Sequence, residues 1–243
     1  MLVLNSPHNP VGKVFSTDEL SAIGKLCVKH NTIIIADDVY GSLTYVPAKR
    51  MATLSPEIWN LTLTVGSAGK TSYATGWRIG FLIGPGHLIK YVAAAHMRIC
   101  YSSLSPLQEA CASGYQLAQE MGFWDKSREE MQGKINRFVQ VLEELGLLYT
   151  DPQGGYFVLV KFSRLKFPKG YEFLSSVASR PRDFKLSWFL ITELGLAAIP
   201  PSEFYLPENS HVAENFLRFA ICKDDSVLED AKERLRGLKK YLG

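Results

Sequence analysis

The 243 residues predict an α/β architecture, a mostly parallel sheet with flanking helices, followed by a smaller α+β domain. Three observations carry that expectation. Short apolar, β-branched runs alternate with helical periodicity in the first half, and Asn, Asp, Gly and Pro mark the breaks between them. After about residue 132 the texture changes to scattered strands and amphipathic helices, so the expected domains are 1–132 and 133–243.

The elements follow in order. Leu2-Val3-Leu4 reads as a strand entering an Asn-Pro turn. Ser16-Thr17-Asp18-Glu19 has the spacing of a capping box, and Leu20, Ile23, Leu26 and Cys27 recur on one face, so a helix of about 13 residues is expected. Ile33-Ile34-Ile35-Ala36, bounded by Asp37-Asp38, reads as a strand covered on both faces, as parallel sheets require. Leu61 to Val65 and Ile79 to Ile83 extend the same sheet. Beyond Gly84-Pro85-Gly86 come helical segments near 87–99, 105–120 and 123–146. Strands at Tyr156 to Phe162 and Phe216 to Ile221 then flank a helix from Asp183 to Leu194, closed by Gly195. A final amphipathic helix spans Ser226 to Leu242, with Ser226 and Glu229 repeating the capping box.

Composition narrows the function. With 27 Lys+Arg against 24 Asp+Glu the net charge is +3, and 47% of residues are hydrophobic, which excludes disorder, collagen and a disulfide scaffold. The basic residues are scattered among acids, leaving no stripe for nucleic acid. No apolar run approaches the ~18 residues of a membrane span. Cys27, Cys100, Cys111 and Cys222 form no CxxC pair, so no metal knuckle is expected. The opening MLVLNSPHNPVGK carries no charged leader and starts on an apolar strand, so an N-terminal half is expected upstream; a natural N-terminal strand is the alternative.

Chemistry-bearing residues gather just after the predicted strands, where open α/β sheets place their ligands. Singly, each has an ordinary reading. Asn9-Pro10 is turn chemistry, Asp37 a helix cap, Tyr40 core packing, Lys70 a surface lysine in a Gly-rich loop, and Arg78 half of an ion pair. Arg218, inside the apolar run Phe216 to Ile221, is a charge that a buried strand tolerates only beside an anion.

Taken in order, NSPHNPVGK, IIADDVY, GSAGKTSYATGWRIG and FLRFA resemble the class I/II aminotransferases of pyridoxal-phosphate fold type I. The wording around the lysine is most similar to the branch of kynurenine aminotransferases, glutamine transaminases and cysteine-conjugate β-lyases. The resemblance implies that Lys70 is the Schiff-base lysine and proton shuttle, and that Asp37 pairs with the pyridine nitrogen. It implies that Tyr40 and Asn9 donate to the cofactor's phenolate oxygen, and that Ser67 and Arg78 hold its phosphate. Arg218, with Asn9 nearby, would bind the α-carboxylate of the substrate.

The same resemblance implies small amino acids and 2-oxo acids as partners, a homodimer, and no nucleic acid or membrane. The compartment expected is cytoplasmic, with a mitochondrial one as the alternative. His8 stands where many relatives have Asn. The family's phosphate loop, ring-stacking aromatic and partner-subunit residues have no counterpart here, so a catalytically impaired fragment is the alternative reading. β-Elimination of cysteine conjugates is a further activity that the branch implies.

Overall fold

Strand β1 (Leu2–Asn5) runs parallel to β2 (Ile34–Asp37), and β2 parallel to β3 (Thr62–Ser67), whereas β4 (Gly80–Ile83) pairs antiparallel with β3. This sheet belongs to the first of two units in the computed structural model, which describes residues 1–243. The first unit is Met1–Glu129 with Gln153–Gly155, and the second is Glu130–Pro152 with Tyr156–Gly243.

In the first unit, helix α1 (Thr17–Lys29) connects β1 to β2. The expected capping box is present: the Glu19 amide donates to Ser16 Oγ over 3.2 Å, and Ser16's amide donates to Glu19 Oε2 over 2.8 Å. Its inward face carries Leu20, Ile23, Gly24 and Cys27, a helical i, i+3, i+4, i+7 stripe. Leu26, expected on that face, is instead 59% exposed, because it sits one position off the stripe. These residues pack with Leu4, Ile34, Ala36 and Met51, and with Ile58 of α2 (Pro56–Trp59), into one apolar cluster.

The run read as Ile33 to Ala36 forms β2 one residue later and is covered less evenly than expected. Ile34 and Ala36 are buried, while Ile35 and Asp37 are half-buried. Helices α3 (Ala68–Thr71), α4 (Gly86–Ile99), α5 (Ser105–Glu120) and α6 (Phe123–Glu144) follow; no residue of α4 or α5 is buried.

The second unit contains most of α6 and the antiparallel pair β5 (Phe157–Lys161) and β6 (Phe216–Ala220), with Leu159 opposite Arg218. Val158, Val160, Leu217 and Phe219 turn inward, and Phe219 lies 5.6 Å from Phe138 of α6 between ring centroids. Helices α7 (Ser175–Ala178), α8 (Arg182–Leu194) and α9 (Asp225–Arg236) complete it, and Gly195 ends α8 in the left-handed region at φ +64°. The second capping box does not form. Ser226 lies inside α9, Asp224 takes the cap position without a side-chain bond, and the helix tightens into a 3-10 turn over Gly237–Tyr241. No helix is long and apolar enough to cross a membrane.

Candidate active site

The sheet register decides where the chemistry falls. Asn5, Asp37 and Val65 lie opposite one another, so β1, β2 and β3 end at a common edge. Because β4 runs the other way, with Gly80 paired to Ser67, the chain re-enters the sheet at the edge it has just left. One edge therefore carries the residues following β1, β2 and β3 and those preceding β4. Asn9, Asp37, Tyr40, Ser67, Lys70 and Arg78 all belong to these segments.

Asn5 ties the first two segments together. Its Nδ2 donates to the Asp37 carbonyl over 2.9 Å and its Oδ1 accepts from the Asn9 amide over 2.7 Å. Sequence reasoning missed this residue, although it opens the NSPHNP motif. The turn beyond is closed by the His8 amide donating to the Lys13 carbonyl and the Gly12 amide donating to the His8 carbonyl. His8 sits half-buried in that turn, where burial lowers its pKa. Asp37 is half-buried, its Oδ1 accepting from the Val39 amide at 3.4 Å, and Tyr40 is buried.

Ser67 ends β3 and caps the single turn α3, its Oγ accepting from the Lys70 amide over 3.3 Å. Lys70 thus sits on a short helical turn rather than in the open Gly-rich loop that its sequence suggests. Gly69 lets the following loop approach: a Cβ there would lie 3.1 Å from Thr75 Cα and 3.2 Å from the Ala74 carbonyl oxygen. Arg78 takes a left-handed φ of +59° and Tyr73 one of +55°, conformations that cost a non-glycine residue about 1–3 kcal/mol and cluster at functional sites. Ser67, Lys70 and Arg78 come together on a cleft of 140 Å³ that contains no acidic residue. A hydroxyl, an ammonium and a guanidinium around one small cleft suit a multiply charged anion such as a phosphate group. The donor set fits pyridoxal phosphate, with an amine beside the anion cleft and a carboxylate, Asp37, on the neighbouring strand end.

A larger chamber of 440 Å³ adjoins Ser67 and is lined also by Asp38, Arg50, Thr64, Tyr115 and Trp124. Gly66 forms part of its floor, with the Phe81 ring lying where a Cβ would project, 2.1 Å from its nearest atom. Asp38 was not singled out by sequence, although the Asp37-Asp38 doublet was its signal. Burial pushes its carboxyl from the ordinary 3.8 up to about 6; neighbouring Asp37 adds to the rise, and Arg50, 4.0 Å away, works against it.

A carboxyl whose folded pKa is raised binds its proton more tightly in the folded state, so stability falls as pH rises from about 4 to about 6. Asp38→Asn should therefore stabilise the chain at pH 7 by about 1–3 kcal/mol and flatten that slope, read from urea unfolding midpoints at pH 4 and pH 7.

Arg218 lies in the second unit, at the centre of β6, half-buried rather than enclosed. Its backbone N–H and C=O both bond to Ile199, and β5 places Leu159 opposite it on the other side.

The sequence profile of aminotransferase class I and II matches residues 1–235. A probable kynurenine–oxoglutarate transaminase of Saccharomyces cerevisiae is 52% identical, over 99% of this chain and 55% of its own. The kynurenine–oxoglutarate transaminase of Dictyostelium discoideum is 38% identical, over 99% and 57%. Among solved structures, that of Bna3p from Saccharomyces cerevisiae superposes with a TM-score of 0.95 at 52% identity, covering 99% of this chain and 57% of that one. The chain thus spans about half the length of the curated relatives it matches.

Proposed function

The chain belongs to the aminotransferase class I and II family, of fold type I, and from that premise we propose that it carries the lysine, phosphate and carboxylate sites of a pyridoxal-phosphate transaminase. The substrates proposed are kynurenine or a related aromatic amino acid as amino donor and a 2-oxo acid as acceptor, a reading that the identity to kynurenine–oxoglutarate transaminases supports. The observation that carries the proposal is the convergence of Ser67, Lys70 and Arg78 on one acid-free cleft.

Pyridoxal phosphate, when bound, supplies an electrophilic aldehyde and an electron-withdrawing pyridine ring. Each residue then has a task that its chemistry fits. Ser67 donates a hydroxyl hydrogen bond and Arg78 a forked, charged contact to the phosphate. Asp37 keeps a proton on the ring nitrogen, since a carboxylate beside it favours the charged form. Asn9 and Tyr40 hold the phenolate oxygen by hydrogen bonds. Lys70 Nζ would be the amine that holds the aldehyde and the base placed to take the proton from the substrate's Cα. Arg218 receives the α-carboxylate, which fixes the direction of the Cα–H bond. Asn9 also faces the substrate side in this reading.

Borohydride reduction of the cofactor-treated protein, followed by peptide mapping, tests the assignment. The label should fall on the peptide containing Lys70; a label on another lysine, or none, overturns it. Pyruvate release from a cysteine conjugate without any 2-oxo acid would add β-lyase activity, and a dimer in sedimentation would match the family's usual state.

A further inference from the structure

The second unit holds a feature that the transaminase reading leaves unexplained: two aromatic rings converge on the guanidinium of Arg218. Its Cζ lies 4.2 Å from the Phe157 ring centroid and 5.2 Å from that of Phe204. Both distances are within the ~6 Å at which a ring's quadrupole attracts a cation.

The fold brings the rings there by independent routes. In the β5–β6 register Leu159 faces Arg218 and Phe157 faces Ala220, so Phe157 is the diagonal neighbour of Arg218 on the same side of the ribbon. Phe157 is buried and further held by Tyr156, 4.6 Å away between centroids. Phe204 comes from the end of the 3-10 turn Pro201–Phe204 and is 46% exposed. That turn is anchored by Asp183, whose carboxylate accepts from the Ser202 amide at 2.7 Å and from its hydroxyl at 3.0 Å. The backbone of Arg218 is clamped as well, exchanging hydrogen bonds of 2.9 and 3.0 Å with Ile199.

A guanidinium laid against aromatic faces has its N–H groups directed in its own plane, the edge that meets a carboxylate in a two-pronged contact. A long, flexible side chain otherwise loses rotamer freedom each time it binds.

We propose that Phe157 and Phe204 are positioning residues that hold the Arg218 guanidinium ready for the carboxylate of the substrate. The proposal rests on the reading of Arg218 as the α-carboxylate site. Since amino donor and 2-oxo acceptor share that carboxylate, the rings serve both half-reactions.

The test compares Phe204→Leu, which keeps apolar bulk without a ring, with Phe204→Tyr, which restores the ring; Phe204 is exposed enough for both to fold. Phe157→Leu extends the series, and Arg218→Lys probes the premise. Phe204→Leu should raise KM for kynurenine and for 2-oxoglutarate together by about 3–10-fold, with a smaller change in kcat, and Phe204→Tyr should recover most of the loss. In NMR spectra of the 243-residue chain, the ring-shifted Arg218 Nε–H signal should move toward the ordinary arginine position in Phe204→Leu. The affinity for 2-oxoglutarate titrated against that signal should fall in step. An unmoved signal and unchanged KM in Phe204→Leu, with KM raised in Arg218→Lys, overturn the clamp and leave the carboxylate site standing. An unchanged KM in Arg218→Lys overturns that site and the clamp with it.

Discussion

Lys70→Ala should slow transamination by about 10²–10⁴-fold, the range that a positioned acid–base group contributes. The expectation comes from the position of the residue, on a single helical turn started by Ser67 and shaped by the close approach of residues 74 and 75 to Gly69. No other lysine lines the cleft that Ser67 and Arg78 share. A single-turnover assay isolates the chemical step. Pyridoxal phosphate should still bind Lys70→Ala through its phosphate, whereas Arg78→Ala should weaken binding more than it slows bound substrate. If Lys70→Ala turned over at the parent rate, the lysine would have no part in the reaction.

Phe189→Ala should cost the second unit about 3–5 kcal/mol, the range for emptying an aromatic from a packed core. Phe189 is fully buried on α8, and its ring lies 4.9 Å from Tyr241, 5.0 Å from Tyr171 and 5.4 Å from Phe167, centroid to centroid. Removing it strips contacts from three rings at once, Phe167 and Tyr171 of one loop and Tyr241 near the end of the chain. Amide hydrogen exchange at Val158, Val160 and Leu217 reports on this unit directly. Protection there should drop by the corresponding two to four orders of magnitude, and parent-like protection would refute the packing argument.

What could be read from sequence was local. The Ser16–Glu19 box, the acid at the end of β2 and the lysine after β3 are legible because each depends on neighbours within a few residues. Ser226 and Glu229 show the limit of the same logic. They have the box spacing, yet α9 starts one residue before Ser226, which leaves the serine inside the helix. The direction of β4 was not legible either, and it is what brings Arg78 back to Ser67. The part of Asn5 in joining two strand ends and the raised carboxyl of Asp38 both depend on residues distant in sequence. No periodicity carries such pairings. The rings beside Arg218 are an intermediate case: Phe157 follows from strand register, but Phe204 arrives from a loop.

The three residues Gln153–Gly155 belong to the first unit although the second claims the chain on either side of them. Their backbone bonds reach Gly12 on one side and Leu43 and Tyr45 on the other, and Gly154 is so tightly seated that a methyl group would lie 2.7 Å from the Leu43 carbonyl oxygen. They act as a suture across the loops that carry Asn9 and Tyr40. Neither half can therefore be excised by one scissor cut in the gene: a product stopping at residue 129 would lack its stitch, and the two loops beside the sheet edge would come apart at the seam.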